Sequence, residues 1–289
     1  MSSTFFARLG APGSERPFVV RDGVAFAIDG VADDVNGAFF DAGGVESVTH
    51  LLDDDRLAPT GRLDDLGLRV GPPIARPGKI VCVGLNYRDH AAETGAAIPT
   101  EPVLFMKDPA TVVGPYDDVL IPRNSVKTDW EVELGVVIGR TARYLDDEAQ
   151  AMACVAGYVI ANDVSEREFQ LERGGQWDKG KNCETFNPLG PWFVPAVAVP
   201  DPQALSLRLW VNGDLRQDGK TADMVFGVAE LVRYISQFMV LHPGDVINTG
   251  TPAGVALGQP DPKPYLCAGD VVELEIDGLG RQRQQLVQA

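Results

Sequence analysis

Apolar residues in this chain come mostly in short runs of strand length, bounded by Gly, Pro, Asn and Asp. Ile80-Val81-Cys82-Val83-Gly84 is a continuous apolar run and reads as a short buried strand. Leu205 to Val211 alternates and meets Asn212-Gly213, a hairpin turn. Val272, Leu274 and Ile276 alternate with Glu273 and Glu275, and Asp277-Gly278 turns the chain again. Phe18 to Ile28 is two apolar runs around Asp22-Gly23, a further hairpin signature. Helical spacing is scarce. The clearest case predicts a helix from about Val225 to Val240, with Val228, Leu231, Val232, Ile235, Phe238 and Met239 on one face, ending before His242-Pro243-Gly244. The fold class expected is mainly β with some α (α+β).

Gly71-Pro72-Pro73 and Pro77-Gly78 interrupt the pattern strongly. They divide the chain into a small N-terminal domain, residues 1–75, and a larger domain, residues 76–289. The acidic stretch from Asp53 to Asp65 reads as solvated surface.

The 289 residues are 45% hydrophobic and carry a formal net charge of −16. Such a surface repels polynucleotides and anionic membranes, so neither is an expected partner. No apolar run approaches the ~20 residues of a membrane-spanning helix, and the N-terminus lacks the pattern of a signal peptide. The four cysteines, Cys82, Cys154, Cys183 and Cys267, form no C-x-x-C pair. They read as reduced, mostly buried thiols of a cytoplasmic protein.

The informative exception to the pattern is Trp130-Glu131-Val132-Glu133-Leu134-Gly135-Val136-Val137-Ile138-Gly139. This is a buried strand that carries two carboxylates. Strand side chains alternate, so Glu131 and Glu133 share a face, with roots about 7 Å apart. In a core they repel and lose hydration unless something positive lies between them. The alternative is an exposed face with two solvated glutamates. Asp163 follows a second apolar strand, where a helix is expected to start. It reads either as a helix cap with Glu166 or as a third carboxylate of the same site. Asp163, Arg167 and Gln170 would then lie on one helical face, unless Arg167 pairs with Glu166 or Glu172. Three carboxylates without histidine or thiolate make a hard oxygen site, suited to Mg²⁺, Mn²⁺ or Ca²⁺. His90 and Glu93 are three apart and adjacent on a helix, so they could orient a water or be merely structural. Around them Ala91, Ala92, Gly95, Ala96 and Ala97 are small, which suits a movable lid. Lys181 and the Asn248–Gly254 turn are weak signals alone.

Six ordered motifs within residues 78–280 resemble the fumarylacetoacetate hydrolase family. They are G-L-N-Y-x-D-H-A-x-E at 84–93, P-V-L-F-M-K at 102–107, W-E-V-E-L-G-V-V-I-G at 130–139, N-D-V-S-E-R at 162–167, Q-W-x-K-G-K at 176–181 and N-T-G-T-P-x-G-V at 248–255. The resemblance implies a β-roll catalytic domain, a homodimer, and Mg²⁺ or Mn²⁺ held by Glu131, Glu133 and Asp163. It implies a water-activating pair, His90 and Glu93, with Lys181 also in the catalytic set. Substrate contacts fall on Arg167, Gln170, Lys181 and Thr251. The run Phe169–Trp177 looks most like the branch acting on 2,4-diketo-3-deoxy sugar acids.

The expected activity is metal-dependent hydrolysis of the C3–C4 bond of a 2,4-diketo acid, an acylpyruvate or a sugar acid, to pyruvate and a carboxylic acid. Two alternatives use the same enolate chemistry: decarboxylation of oxaloacetate and isomerisation of 2-hydroxyhepta-2,4-diene-1,7-dioate. A third, from another class, is a non-catalytic β protein stiffened by a cation.

Overall fold

The computed structural model describes residues 4–289. Its centre is one eleven-stranded sheet, and a five-stranded sheet packs against it. The chain is mainly β with a few short helices, as the short apolar runs predict.

Strand Val132–Ile138 is buried along its whole length and lies inside the large sheet. It pairs antiparallel with Val155–Asn162 on one side and with Val246–Asn248 on the other. Val246–Asn248 runs parallel to Ile80–Gly84, which pairs with the edge strand Val103–Lys107. Gly135 fits this crowded centre because a Cβ there would meet Val159 Cγ2 at 2.6 Å. The second sheet holds the hairpin Ser206–Val211/Asp214–Lys220 and the strands Val271–Ile276 and Gly280–Gln288. Its inward residues, among them Leu207, Leu209, Leu274 and Ile276, join the core under the large sheet.

The expected Phe18–Ile28 hairpin forms as strands Arg16–Arg21 and Val24–Ala27. The residues ahead of the Gly-Pro punctuation do not pack apart. Strand Thr4–Leu9 pairs with Asn187–Pro195, with Phe6 opposite Phe193, so the N-terminal strands continue the large sheet. Phe6, Phe39 and Phe40 share one core with Val137, Val159 and Phe193.

Three expectations change. The helix expected over 225–240 spans only Val228–Ile235. At its end the Ser236 carbonyl is taken by the Tyr144 N–H at 2.9 Å, and beyond it Leu241 exchanges both backbone hydrogen bonds with Ala142, which an extended residue can do and a helical one cannot. Phe238 is left 65% exposed. No helix starts at Asp163. Its N–H continues the strand ladder by donating to the Glu131 carbonyl at 3.0 Å. Ser165–Glu166 then pairs with Thr128–Asp129, and the chain turns helical only at Glu168–Glu172, as a wide π turn. The four cysteines are all free, but only Cys82 and Cys154 are buried, Cys183 being half-buried and Cys267 exposed. Among the described residues no helix is long and apolar enough to cross a membrane.

Candidate metal and active site

The Asp163-to-Glu131 ladder bond brings the third carboxylate beside the first two. One ligand oxygen each from Glu131, Glu133 and Asp163 lies within 4.8 Å of the others. The three side chains are buried. Asp163 is not a helix cap. Its two oxygens accept from Lys107 and from Lys181, the latter at 2.9 Å. Lys181 also donates to Glu131 Oε2 at 2.7 Å, and Arg167 Nη2 donates to Glu131 Oε1 at 2.6 Å. Among the described residues Glu133 has no cation in an ion pair and accepts only the Gly250 N–H, at 2.8 Å.

This asymmetry sets the charges. Burial alone would raise the Glu131 pKa, but Lys181 and Arg167 outweigh it and hold the group at about 2. Burial drives Glu133 well above the usual carboxylate range, and the neighbouring Asp163 and Glu131 push the same way. Lys181 loses hydration by burial, yet Asp163 and Glu131 hold its pKa above that of an ordinary lysine. Four buried carboxylates, with Asp129 as the fourth, face three buried cations, Lys107, Arg167 and Lys181. A divalent cation fits this donor set: the oxygens are hard, close together, and one carboxylate lacks a positive partner.

Arg167 does not pair with Glu166 or Glu172. Glu166 is taken by Ser125, Thr128 and the Lys127 N–H, and Glu172 by Lys127. Arg167 instead donates to Asp129 at 2.8 Å, to Glu131, and to Gln170 Oε1 at 3.0 Å. Arg167 and Gln170 therefore meet as expected, but through the π turn rather than along a helix begun at Asp163.

His90 and Glu93 sit on helix Arg88–Thr94. Asn86 ties its start to the rest of the site by donating to the carbonyls of Phe226 and Thr249, at 3.1 and 2.8 Å. His90 Nδ1 lies 3.5 Å from Glu93 Oε2 and has no hydrogen-bond partner although buried. Glu93 is gripped from the far side. The Gly254 N–H reaches its two oxygens at 3.0 and 3.1 Å, and Gln259 Nε2 reaches Oε1 at 3.3 Å.

A cavity of about 480 Å³ unites these groups, lined by Glu131, Glu133, Arg167, Gln170, Lys181 and Thr251 together with His90 and Glu93. Asp163 stands behind it. Phe105, Trp177 and Leu85 supply apolar wall. The Thr251 hydroxyl donates to the Val132 carbonyl at 2.9 Å and accepts from Gln217 at 2.8 Å, so its proton is already committed.

Sequence reasoning overlooked Lys107, Asp129 and Lys263. Lys107 ends an apolar run and is fully buried against Asp163. A lysine closing a buried strand was a usable signal. So was the D-x-E-x-E alternation of Asp129, Glu131 and Glu133. Lys263 lines the cavity, but nothing near it in the sequence suggests so.

Residues 79–287 match the family model described as fumarylacetoacetate (FAA) hydrolase, C-terminal. Over 284 residues the chain is 50% identical to a Burkholderia multivorans protein whose name says hydrolase without a substrate, covering 96% of each. The solved 2-hydroxyhepta-2,4-diene-1,7-dioate isomerase of Mycobacterium marinum is 32% identical, with a TM-score of 0.77 and 99% of each chain covered. The maleylpyruvate hydrolase of Sphingobium sp. SYK-6, solved in complex with manganese(II) ion and pyruvate, is 28% identical, with a TM-score of 0.79 and all of each chain covered.

Proposed function

The chain belongs to the fumarylacetoacetate hydrolase family, and from that premise we propose that it is a hydrolase, dependent on Mg²⁺ or Mn²⁺, that cleaves the C3–C4 bond of a 2,4-diketo acid and releases pyruvate. One observation carries this reading. The buried Glu131–Glu133–Asp163 cluster opens into the same cavity as Arg167, Lys181 and the His90–Glu93 pair.

A bound divalent cation supplies positive charge at the 2-keto acid end, where the enolate develops. The chain's own residues do the rest. Arg167 spends three of its N–H donors on protein acceptors and Lys181 spends two. That leaves two on the guanidinium and one on the ammonium for the substrate carboxylate. Gln170 uses its oxygen on Arg167 and keeps its amide donors. Thr251 has only one hydroxyl lone pair left to offer.

His90 turns Nδ1 toward Glu93, so Nε2 is free to take a proton from water. The resulting hydroxide adds to C4. The C3–C4 bond breaks, its electron pair passes to the pyruvate enolate, and the proton held on His90 returns to C3. The apolar wall of Phe105, Trp177 and Leu85 limits bulk water around these steps.

A panel of acylpyruvates, 2,4-diketo-3-deoxy sugar acids, oxaloacetate and 2-hydroxyhepta-2,4-diene-1,7-dioate, scored with and without Mg²⁺ and Mn²⁺, tests the proposal. Pyruvate release from the diketo acids is expected. Turnover of oxaloacetate or the diene-dioate alone would replace hydrolysis with decarboxylation or isomerisation. No cation-dependent turnover of any substrate would leave a cation-stiffened scaffold. The proposal includes a homodimer in the cytoplasm, the assembly being checked by light scattering.

A further inference from the structure

Asp129 is wholly buried and is absent from the cavity wall, yet four donors converge on its carboxylate. Oδ1 accepts the N–H groups of Trp130 at 2.9 Å and Ala256 at 2.7 Å. Oδ2 accepts the Leu257 N–H at 3.0 Å and Arg167 Nε at 2.8 Å. One side chain therefore holds the arginine of the metal end and the start of the short 3₁₀ turn Ala256–Gly258.

That turn leads to Glu93. Gln259, directly after it, donates to Glu93, and the Gly254 N–H just before it reaches both Glu93 oxygens. Trp130, next to Asp129, fixes Gly254 from the other side, its indole N–H donating to the Gly254 carbonyl at 3.1 Å. Gly258 lies so close to Glu93 that a Cβ there would meet the carboxyl carbon at 2.2 Å. Lys263 staples the turn by donating to the carbonyls of Leu257 and Gln259. A continuous path thus runs Arg167–Asp129–Ala256/Leu257–Gln259–Glu93–His90.

We propose that Asp129 is a positioning residue that fixes the distance between the substrate-gripping Arg167 and the water-activating His90–Glu93 pair, by holding both the guanidinium and the turn that cradles Glu93. This rests on the proposed roles of those three residues. A carboxylate is required because four donors need four acceptor sites. An asparagine would face them with one oxygen and an NH₂ group. Three of the four partners are backbone N–H groups, so the tie is rigid. An error of about 1 Å in the relative placement of the reacting groups costs on the order of 10²-fold in rate.

The test uses Asp129→Asn and Gln259→Leu in the full chain. Two readouts need no substrate: amide hydrogen exchange by segment and Mn²⁺ affinity. In Asp129→Asn, exchange over residues 88–94 and 255–259 is expected to rise at least tenfold, strands 206–211 and 271–276 to keep wild-type protection, and Mn²⁺ affinity to stay within threefold. Where turnover is measurable, KM for the 2-keto acid should rise with the loss of Arg167's brace, and kcat should fall. Gln259→Leu cuts only the last link. It should loosen 88–94 by at least threefold and lower kcat without moving KM. Wild-type exchange over 88–94 in either variant overturns the proposal. So does a uniform rise across both sheets, which would mark Asp129 as a fold residue only. A wild-type protein that turns over none of the substrates would defeat the proposed function, but the exchange result would still decide this inference.

Discussion

The two glutamates that share a strand face have opposite environments, and this difference can be measured. Glu131, held at about 2, is ionised in the fold at a pH where its unfolded form would already be protonated. Its contribution to stability is fully present above about 4.5 and is lost as pH falls toward 2. Glu133 runs the other way. Its pKa is raised, so the folded protein binds a proton that the unfolded chain releases above about 4.5, and stability declines as pH rises from there. A divalent cation competes with that proton. In EDTA the melting temperature is expected to fall between pH 5 and 8, and saturating Mn²⁺ should flatten the decline. Glu133→Gln should also flatten it in EDTA while weakening Mn²⁺ binding at least tenfold. A pH profile unaffected by either the cation or the substitution would refute the assignment. At His90 the expected effect is on chemistry. His90→Ala should lower hydrolysis by roughly 10²–10⁴-fold, because it removes the proposed base. Any decarboxylation of oxaloacetate needs no activated water and should fall far less. Equal losses in both would mean that His90 serves a shared step.

At the scale of elements, helix Arg88–Thr94 and turn Ala256–Gly258 work as a pair. Gly258 is small because Glu93 occupies the space a side chain would fill. Gly258→Ala is expected to push Glu93 from its cradle and cost about 10²-fold in hydrolysis, with Mn²⁺ affinity unchanged. Activity close to wild type would show that the helix is free to shift. Periodicity made the strands readable, and Glu131 with Glu133 and His90 with Glu93 were legible as pairs because the members of each stand within three residues of one another. The partners of Asp163 were not. Lys107 precedes it by 56 residues and Lys181 follows it by 18, and no local pattern records such a meeting. The false helix at Asp163 has the same origin. A capping box is a local preference, and pairing of Ser165–Glu166 with Thr128–Asp129 overrode it. The helix through Val240 was overextended because the Tyr144–Ser236 and Ala142–Leu241 bonds are likewise non-local.

Across the whole molecule, the strands between residues 4 and 27 extend the sheet that holds the site strands, and Phe6, Val19, Phe39 and Phe40 share a core cluster with Val137 and Val159. Phe6 is buried against Phe39 and Phe193. Phe6→Ala should therefore cost about 3–5 kcal/mol and lower a single melting transition followed both by far-ultraviolet circular dichroism and by loss of Mn²⁺ binding. Two separate transitions would show that the N-terminal strands melt alone. The Gly-Pro punctuation marked a turn in the path, and sequence alone gave no sign that the sheet continues across it, since Phe6 and Phe193 are far apart in the chain.

The short strand Val246–Asn248 lies between Ile80–Gly84 and Val132–Ile138. On the ribosome, the strand leading to His90 and the strand following Glu131 have both emerged long before the segment that joins them. Until then each keeps an unpaired apolar edge, open to pairing with another nascent chain. Assembly of the candidate site is thus deferred until residues 246–248 have been made. Slow folding dominated by distant pairings is the expected consequence of where three residues stand in the sheet.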